Sequence, residues 1–301
     1  MAKQDLKGKV AVITGASSGF GKGTALELAR AQTHLVLAAR RSDLLTELAR
    51  QCEAFGVQTL AAPTDVGDRK QVEELCQSAV GKFGRIDVWI NNAGVGALGR
   101  FEAVPLDDHV KVIETDLMGT LYGSYFAYRQ FLQQGEGVLI NMASELGRHT
   151  APYYASYTAA KHGVVGLCES LRQELDQAAI EKVHVCLVMP TAHDTPFFDH
   201  VANYTGRQVQ APTPLHDPQD VIDALVGLAR NPKDQKIVGA DGIAKIFLKK
   251  MAPGAEEKLG ARQIHQTQME NAPTAADTDG AVLSPIPTGT AIRGGRIEQR
   301  H

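Results

Sequence analysis

Residues 10–21 read VAVITGASSGFG, a short apolar run that breaks into a turn containing Gly15, Gly19 and Gly21. Apolar residues then recur at helical spacing through Leu26 and Leu28. A strand, a glycine turn and a helix in this order predict a phosphate site, because backbone N–H groups and the positive helix end can hold a pyrophosphate. The spacing Gly-x-x-x-Gly-x-Gly is looser than the usual dinucleotide-binding pattern, and a plain tight turn is the alternative. The candidate phosphate-side residues are Gly15, Ser17, Ser18, Gly19, Phe20 and Gly21.

Short apolar runs and helical patterns keep alternating along the chain as far as residue 239. This alternation predicts an α/β fold, in which helices cover both faces of a parallel sheet. After the first strand, further strands are predicted at 34–39, 57–62, 86–90, 138–142, 183–188 and 236–239, and helices at 43–55, 68–82, 106–132, 154–178 and 217–230.

The second predicted strand ends at Ala39, which is followed directly by Arg40 and Arg41. In a dinucleotide site this strand end faces the adenosine ribose, where an acid favours the free 2′-hydroxyl and an arginine accommodates a 2′-phosphate. Because Ala39 stands where the acid is expected, we predict NADP(H), with NAD(H) as the alternative. Arg40 is the predicted phosphate contact, and Arg41 is a second candidate. The alternative is that both arginines only cap the following helix or lie on its surface.

Loops at other strand ends carry further candidate cofactor contacts. Asp65 is placed either to bind the adenine amino group or to cap the next helix. The short polar stretch 91–94 suits a cofactor-facing turn or an ordinary loop. The candidates from these loops and from the chain beyond 183–188 are Asp65, Val66, Asn92, Ala93, Gly94, Pro190 and Thr195.

Tyr157 and Lys161 lie four residues apart in the predicted helix 154–178, so both side chains can point into one site. A nearby ammonium lowers the pKa of a phenol, which suits acid/base chemistry. Ser144 follows the apolar run 138–142, at the sheet edge where open α/β folds place their ligands. A Tyr-x-x-x-Lys pair also occurs by chance on solvated helix faces, and the position of Ser144 favours the catalytic interpretation.

Charge and composition argue against several classes of partner. The 301 residues carry a formal net charge of -3 and no basic block, so we expect neither nucleic acid nor an anionic membrane as a partner. No stretch approaches the ~20 apolar residues of a membrane span. The N-terminal residues lack the apolar core of a secretion signal, and the 4 cysteines are widely spaced, so we expect reduced thiols in a cytoplasmic protein.

Two segments late in the chain stand outside the alternation. The stretch 191–216 holds Phe197, Phe198 and Tyr204, and loops of this length are usually functional, so we predict a substrate lid. Its histidines and aspartates match no familiar ligand spacing, and we expect no metal. A short amphipathic helix is predicted at 244–251. From about residue 261 the composition predicts a flexible tail, with packing over a neighbour or over the cofactor site as the alternative.

Together these motifs resemble the classical short-chain dehydrogenase/reductase family. The matching residues, in family order, are Thr14-Gly15-x-x-x-Gly19-x-Gly21, Asn91-Asn92-Ala93-Gly94, Ser144 and Tyr157-x-x-x-Lys161. The resemblance covers residues from about 7 to 240. It implies a Rossmann-type, doubly wound sheet of seven parallel strands in the order 3-2-1-4-5-6-7. We expect one domain over 7–243 and a partly disordered extension over 244–301.

The resemblance also implies residue roles. Tyr157 would be the general acid in carbonyl reduction and the base in alcohol oxidation, and Ser144 would hydrogen-bond the reacting oxygen. Lys161 would hold the nicotinamide ribose and lower the pKa of the phenol. The family's catalytic asparagine falls on Asp116, whose carboxylate would oppose ionisation of Tyr157.

Two other departures from the family pattern concern the cofactor turn and the subunits. Pro190-Thr191 replaces the usual Pro-Gly, and the chain after Gly239 lacks the family's short glycine-rich ending. The helices at 106–132 and 154–178 carry broad apolar stripes, from which we expect a homo-oligomer. A dimer through these helices is favoured over the family's tetramer, and a buried monomeric core is the alternative.

The preferred function is therefore an NADP(H)-dependent oxidoreductase that interconverts a carbonyl and an alcohol on a small or medium, mostly apolar substrate. A non-catalytic dinucleotide-binding sensor or scaffold on the same fold is the main alternative. A third possible function is that of an epimerase or dehydratase that uses the same tyrosine. The lack of a larger substrate domain argues against it.

Overall fold

The computed structural model describes residues 5–239 and 253–297. Its strands are β1 (Val10–Thr14), β2 (His34–Ala39), β3 (Thr59–Pro63), β4 (Val88–Asn91), β5 (Ala97–Gly99), β6 (Gly137–Met142), β7 (Val183–Pro190), β8 (Ala202–Tyr204) and β9 (Gln235–Val238). In the described residues, seven strands form one parallel sheet in the order β3-β2-β1-β4-β6-β7-β9. The predicted sheet and its strand order are confirmed.

Helices cover both faces of this sheet. The α-helices of the described residues are α1 (Gly19–Arg30), α2 (Ser42–Glu53), α3 (Arg69–Phe83), α4 (Leu106–Ile113), α5 (Gly119–Gln134), α6 (Ala155–Gln177), α7 (Phe197–His200), α8 (Gln219–Arg230) and α9 (Pro253–His265). On one face α1 packs against α2 and α8, and on the other α5 packs against α3 and α6. Each layer encloses its own cluster of buried apolar side chains, which makes the sheet doubly wound.

The first strand has the central place in the sheet. All five residues of β1 are buried, and the strand pairs in parallel with β2 on one side and β4 on the other. The strand order reverses between β1 and β4. In open α/β folds such a reversal leaves a crevice at the carboxyl ends of the strands, where ligands bind.

The long helix predicted at 106–132 is interrupted in the structure. A π-helical turn, Glu114–Met118, separates α4 from α5. Such turns insert one extra residue into a helix, so they rotate the side chains that follow. The apolar periodicity continues across the insertion, which is why the sequence pattern predicts a single helix.

The segment 191–216 contains regular structure that was not predicted. It includes the short helix α7 and the strand β8, which pairs in parallel with β5. Strands of three residues carry too little alternation to be recognised. This small sheet brings the segment 191–216 to the loop after β4, next to the crevice.

The C-terminal extension differs from the flexible tail that its composition predicts. Helix α9 continues into a π-helical turn, Gln266–Glu270, and residues 271–297 run across the body of the protein. Ala272, Ala281 and Val282 are buried there. The helix predicted at 244–251 lies outside the described residues. None of the helices in the described part of the chain is long and apolar enough to span a membrane.

Candidate active site

A cavity of about 410 Å³ opens at the carboxyl ends of the sheet strands. Nearly all of the predicted site residues line it: Gly15, Ser17, Ser18, Gly19, Phe20, Arg40, Asp65, Val66, Asn92, Ala93, Gly94, Ser144, Tyr157, Lys161, Pro190 and Thr195. Gly21 and Asp116 are the two candidates that do not line the cavity, and both lie directly behind its wall. The fold therefore brings residues from distant parts of the sequence to one place.

The glycine turn is shaped by close contacts with the loop after β4. Gly15 has a φ of +65°, and a Cβ there would lie 2.8 Å from the Cα of Ala93. A Cβ on Gly21 would lie 2.7 Å from the Nδ2 of Asn92. That amide donates a 3.0 Å hydrogen bond to the carbonyl of Thr14. Gly21 and Asn92 thus keep the turn tight and leave a cradle where a side chain would otherwise stand, which fits a pyrophosphate.

Ser144, Tyr157 and Lys161 come together at the end of β6. The Ser144 hydroxyl accepts the Leu146 N–H at 3.2 Å, and it lowers the pKa of the neighbouring phenol of Tyr157. One turn further along α6, the Nζ of Lys161 lies 5.4 Å from the centre of the Tyr157 ring. The same ammonium donates a 3.2 Å hydrogen bond to the carbonyl of Met142. A hydroxyl, a phenol and an ammonium therefore share one wall of the cavity.

Asp116 lies behind this group, fully buried in the π-helical turn. Its Oδ2 is 3.0 Å from the Nζ of Lys161, and its Oδ1 accepts the Val95 N–H at 2.8 Å. The carboxylate therefore pairs with the ammonium and does not face the cavity. A Cβ on Gly94 would lie 3.3 Å from the same Oδ2, so the loop after β4 needs a small residue there.

Burial dominates the electrostatics of Tyr157. Desolvation raises the pKa of its phenol above the ordinary value, Lys161 lowers it, and the charge of Asp116 raises it further. Lys161 does lower the pKa of this phenol, as expected. The expectation that the phenol is therefore more acidic than a free one is wrong, because burial and Asp116 raise the pKa by more than Lys161 lowers it. Burial lowers the pKa of Lys161, but Asp116 and Tyr157 raise it above its usual value, so Lys161 stays protonated.

The two arginines after β2 contact the C-terminal extension. Arg40 donates to the carbonyls of Ala281 and Val282, and burial lowers the pKa of its guanidinium. The Nη2 of Arg41 donates to the hydroxyls of Ser17 and Ser18, at 3.0 Å each. Both guanidinium groups therefore border the glycine turn, and the extension reaches the same place.

Asp65 faces the cavity but also has a structural partner. Its Oδ2 accepts a 2.9 Å hydrogen bond from the Nζ of Lys111. The interpretation of Asp65 as a helix cap is wrong, because Asp68 caps α3 through the N–H groups of Lys70 and Gln71. Asp68 comes directly before the first helical residue and Asp65 does not, so only Asp68 can reach these groups.

The aromatic residues of the segment 191–216 divide into two groups. Phe197 and Phe198 line the cavity, and the Phe197 ring centre is 5.6 Å from that of Tyr157. Tyr204, also predicted to face the substrate, instead donates a 2.6 Å hydrogen bond to Asp108. Its position in β8 turns the phenol toward α4.

The extension supplies one wall of the cavity, in agreement with the alternative that it packs over the cofactor site, but the sequence did not indicate which of its residues form that wall. It consists of Gly260, Gln263, Ile264, Thr267, Gln268, Ala281, Pro285 and Ile286. Across residues 5–239 and 253–297, no group of three or more histidines, cysteines or acids is arranged to hold a metal ion.

A parallel sheet with a glycine cradle and a Ser–Tyr–Lys group at one end defines a dinucleotide-dependent oxidoreductase. The family model for short chain dehydrogenases matches residues 9–204. The chain belongs to the short-chain dehydrogenase/reductase family.

Two relatives illustrate the range of similarity. An uncharacterized oxidoreductase of Bacillus subtilis (strain 168), YxnA, is 30% identical over 279 residues, which cover 92% of this chain and 78% of the relative. A diacetyl reductase [(S)-acetoin forming] of Staphylococcus epidermidis is 34% identical over 194 residues, covering 64% of this chain and 74% of the relative.

Solved structures show the same architecture. A short chain dehydrogenase/reductase from Burkholderia phymatum in complex with NAD is similar with a TM-score of 0.74 and 27% identity, covering 84% of this chain and 96% of that one. An alcohol dehydrogenase from the archaeon Thermococcus sibiricus, complexed with 5-hydroxy-NADP, has a TM-score of 0.66 and 26% identity, covering 76% and 95%.

Proposed function

We propose that this protein is an NADP(H)-dependent oxidoreductase that interconverts a carbonyl and an alcohol on a small or medium, mostly apolar substrate. The observation that carries the proposal is the contact of Ser144, Tyr157 and Lys161 on the wall of a cavity that continues to the glycine turn. Acid/base groups and a dinucleotide cradle then share one space, as hydride transfer to a carbonyl requires.

Tyr157, Ser144 and Lys161 have different roles in the proposed reaction. In carbonyl reduction the hydroxyl of Tyr157 donates its proton to the substrate oxygen, and the Ser144 hydroxyl donates a hydrogen bond to the same oxygen. The ammonium of Lys161 stabilises the phenolate that remains. In alcohol oxidation that phenolate accepts the proton. The bound nicotinamide supplies or accepts the hydride.

Aromatic and apolar groups support the proposed substrate class. Phe197 and Phe198 from the proposed lid over 191–216, with Ile264 from α9, line the cavity, and the Phe197 ring lies next to that of Tyr157. Apolar walls with a few polar groups at the reacting centre are typical of sites for small organic molecules. The relative named diacetyl reductase supports a small carbonyl compound.

Asp116 acts on Tyr157 through charge, so its replacement should move the pH profile. The Asp116 charge raises the pKa of Tyr157, and Asp116→Asn removes that charge. Because alcohol oxidation needs the phenolate, we expect the rise of kcat for oxidation with pH to shift to lower pH in this variant. Asp176→Asn, at an exposed position of α6, is the control and should leave the profile in place. A shift to higher pH would contradict the assignment.

The cofactor proposal favours NADP(H) because Ala39 ends β2 without an acid and Arg40 and Arg41 follow it. Both guanidinium groups stand at the edge of the cavity, on the side of Asp65. Structural neighbours include complexes with NAD and with 5-hydroxy-NADP, so the choice rests on this chain's own residues.

Arg40→Asp tests this choice of cofactor. The variant exchanges an attractive charge for a repulsive one at the proposed 2′-phosphate position, and we expect NADPH to bind about 100-fold more weakly. Binding of NADH should change far less. Arg50→Asp, at an exposed position of α2, is the control. Equal losses for both cofactors, measured by fluorescence titration, would remove Arg40 from the cofactor site.

A homodimer is also part of the proposal. Leu121, Tyr125 and Leu132 form one exposed face of α5, and α4 adds Leu106 and Val110. Neighbouring apolar side chains exposed on one helix face are typical of interfaces.

The variant Tyr125→Glu/Leu132→Glu should therefore be a monomer at concentrations where the wild type is a dimer. Two carboxylates buried without partners cost several kcal/mol, more than such an interface tolerates. Leu259→Glu, on the exposed side of α9, should stay dimeric. Sedimentation velocity measures the oligomeric state. A double variant that remains a dimer would show that this face of α5 is not the dimer interface.

The cysteines bear on where the protein works. Cys52, Cys76, Cys168 and Cys186 are all buried and form no disulfide. Burial raises the pKa of the Cys168 thiol to about 11, so this thiol stays protonated and unreactive. Such thiols support the proposal of a reducing, cytoplasmic environment.

A further inference from the structure

The last described part of the extension, residues 281–297, is named the strap here, and its backbone binds the arginines beside the glycine turn. The Nη2 of Arg40 donates to the carbonyl of Ala281 at 2.5 Å, and its Nη1 donates to the carbonyl of Val282 at 3.1 Å. The Nη1 of Arg41 donates to the carbonyl of Thr288 at 3.1 Å. Both arginines thus hold backbone oxygens of the strap.

Further along, the strap reaches the start of α1. The Gly19 N–H donates to the carbonyl of Ala291 at 2.9 Å, and the Nζ of Lys22 donates to the carbonyl of Thr290 at 3.1 Å. A helix N-terminus and nearby cations attract anionic oxygens. The carbonyl oxygens of the strap therefore occupy donors of the kind that bind phosphate.

The strap is anchored independently of these contacts. Val282 is fully buried in an apolar cluster with the β5 strand. At the other end, Arg293 forms two 3.0 Å hydrogen bonds with the carboxylate of Asp217, and the Ile297 N–H donates to Asp194 at 2.9 Å. The contacts with Asp217 and Asp194 hold the far end of the strap without Arg40, and the buried Val282 side chain favours the position in which the strap competes with a ligand for Arg40.

We propose that the strap determines cofactor specificity by competing with an adenosine 2′-phosphate for the Arg40 guanidinium. The proposal rests on the proposed role of Arg40 in binding that phosphate. In the proposed competition, the carbonyl oxygens of Ala281 and Val282 occupy the positions on Arg40 where phosphate oxygens would otherwise bind. A dinucleotide with a 2′-phosphate must displace this part of the strap, whereas one with a free 2′-hydroxyl need not.

Geometry explains why the competition is direct. A guanidinium binds phosphate best through two parallel N–H groups, and the strap occupies both terminal nitrogens of Arg40. Ala281, Pro285 and Ile286 line the cavity, so the strap borders the space in which a ligand of Arg40 would lie. The apparent affinity for NADPH is then reduced by the fraction of molecules in which the strap is closed.

Gly280→Ala provides a selective test. Gly280 has a φ of +54°, and a Cβ there would lie 2.7 Å from the carbonyl carbon of Val201, so the alanine should lift Ala281 and Val282 from Arg40. Gly56→Ala is the matched control, because Gly56 also has a positive φ, +82°, but faces open space away from the strap. Dissociation constants for NADPH and NADH are measured for the wild type and both variants.

We expect the ratio of the NADH to the NADPH dissociation constant to rise at least about tenfold in Gly280→Ala, because two competing hydrogen bonds to a charged group are lost. The ratio should not change in Gly56→Ala. If NADPH is preferred by one constant factor in all three proteins, the competition is wrong and the role of Arg40 stands. If NADPH is preferred in none of them, both the competition and the proposed cofactor fail.

Hydrogen exchange of the unmodified chain is a second measurement, which does not depend on the folding of a variant. The Ala281 N–H donates to the carbonyl of His200 at 2.8 Å, and displacement of Ala281 and Val282 from Arg40 should break this bond. We expect saturating NADPH to speed exchange of this N–H severalfold, and saturating NADH to leave it unchanged. Mass spectrometry of peptides that span residues 279–284 gives the rates. Protection of this N–H by NADPH would overturn the proposal.

Discussion

Tyr157→Phe is expected to lower kcat for carbonyl reduction by about 10²- to 10⁴-fold, the usual contribution of a positioned general acid. The variant removes only the phenolic oxygen of Tyr157, and both Tyr157 and Ser144 line the cavity. The ring keeps its contact with Phe197, so the fold and cofactor binding should survive. The rate of cofactor oxidation and the thermal unfolding temperature are the two measurements.

Tyr154→Phe is the matched control for this experiment. Tyr154 is buried one turn before Tyr157, and the two ring centres are 6.4 Å apart. It has no lysine four residues later, so a much smaller loss of kcat is expected. Equal kcat values for wild type and Tyr157→Phe would refute the acid/base assignment and favour the alternative of a dinucleotide-binding sensor or scaffold.

Lys161→Met should be the most destabilising substitution in the site. It leaves Asp116 fully buried without the ammonium that lies 3.0 Å away. Removal of one partner from a buried ion pair costs about 3–5 kcal/mol of unfolding free energy. Urea denaturation measures this loss, and kcat should fall as well because the phenolate of Tyr157 is no longer stabilised.

The double variant Lys161→Met/Asp116→Leu separates stability from catalysis. With both charges removed, no buried carboxylate is left unpaired, and most of the unfolding free energy should return. Activity should not return, because the ammonium beside the phenol is still missing. A Lys161→Met protein as stable as wild type would show that Asp116 carries no charge that needs compensation.

The sheet could be predicted because each of its strands is marked by a local sequence pattern. The buried run Val10–Thr14 and its glycine turn fix a strand-to-helix unit, and repetition of that unit dictates a parallel sheet. The pair Ala97–Gly99 and Ala202–Tyr204 gave no such signal, since three residues form no recognisable alternation. The π-helical turn Glu114–Met118 was also hidden, because apolar residues continue on both sides of it.

The reactive group was predictable for a similar reason. Four-residue spacing on a helix places Tyr157 and Lys161 on one face, and a strand end places Ser144 beside them. The net pKa of Tyr157 was not predictable, because it depends on how deeply the phenol is buried and on the distance to Asp116. Both are set by tertiary packing.

The strap lies over the cavity, as in the alternative to a flexible tail, but its individual contacts could not be predicted from its residues. Its contacts with Arg40 and Arg41 come from backbone carbonyls, which every residue possesses, so no side-chain pattern marks them. Composition alone favoured flexibility. The glycines at positions 280 and 289 are the sequence signal that remains. Their φ angles are +54° and +66°, and glycine tolerates such turns at little cost.

The most direct test of the central claim is the fate of the hydride. NADPH labelled with deuterium at the transferable position of the nicotinamide is incubated with the protein and a panel of small ketones and aldehydes. The account predicts that the deuterium appears on the carbinol carbon of the product, one atom for each cofactor oxidised, and that Tyr157→Phe forms almost no product. Tight binding of NADPH with no deuterated alcohol from any carbonyl compound would contradict it.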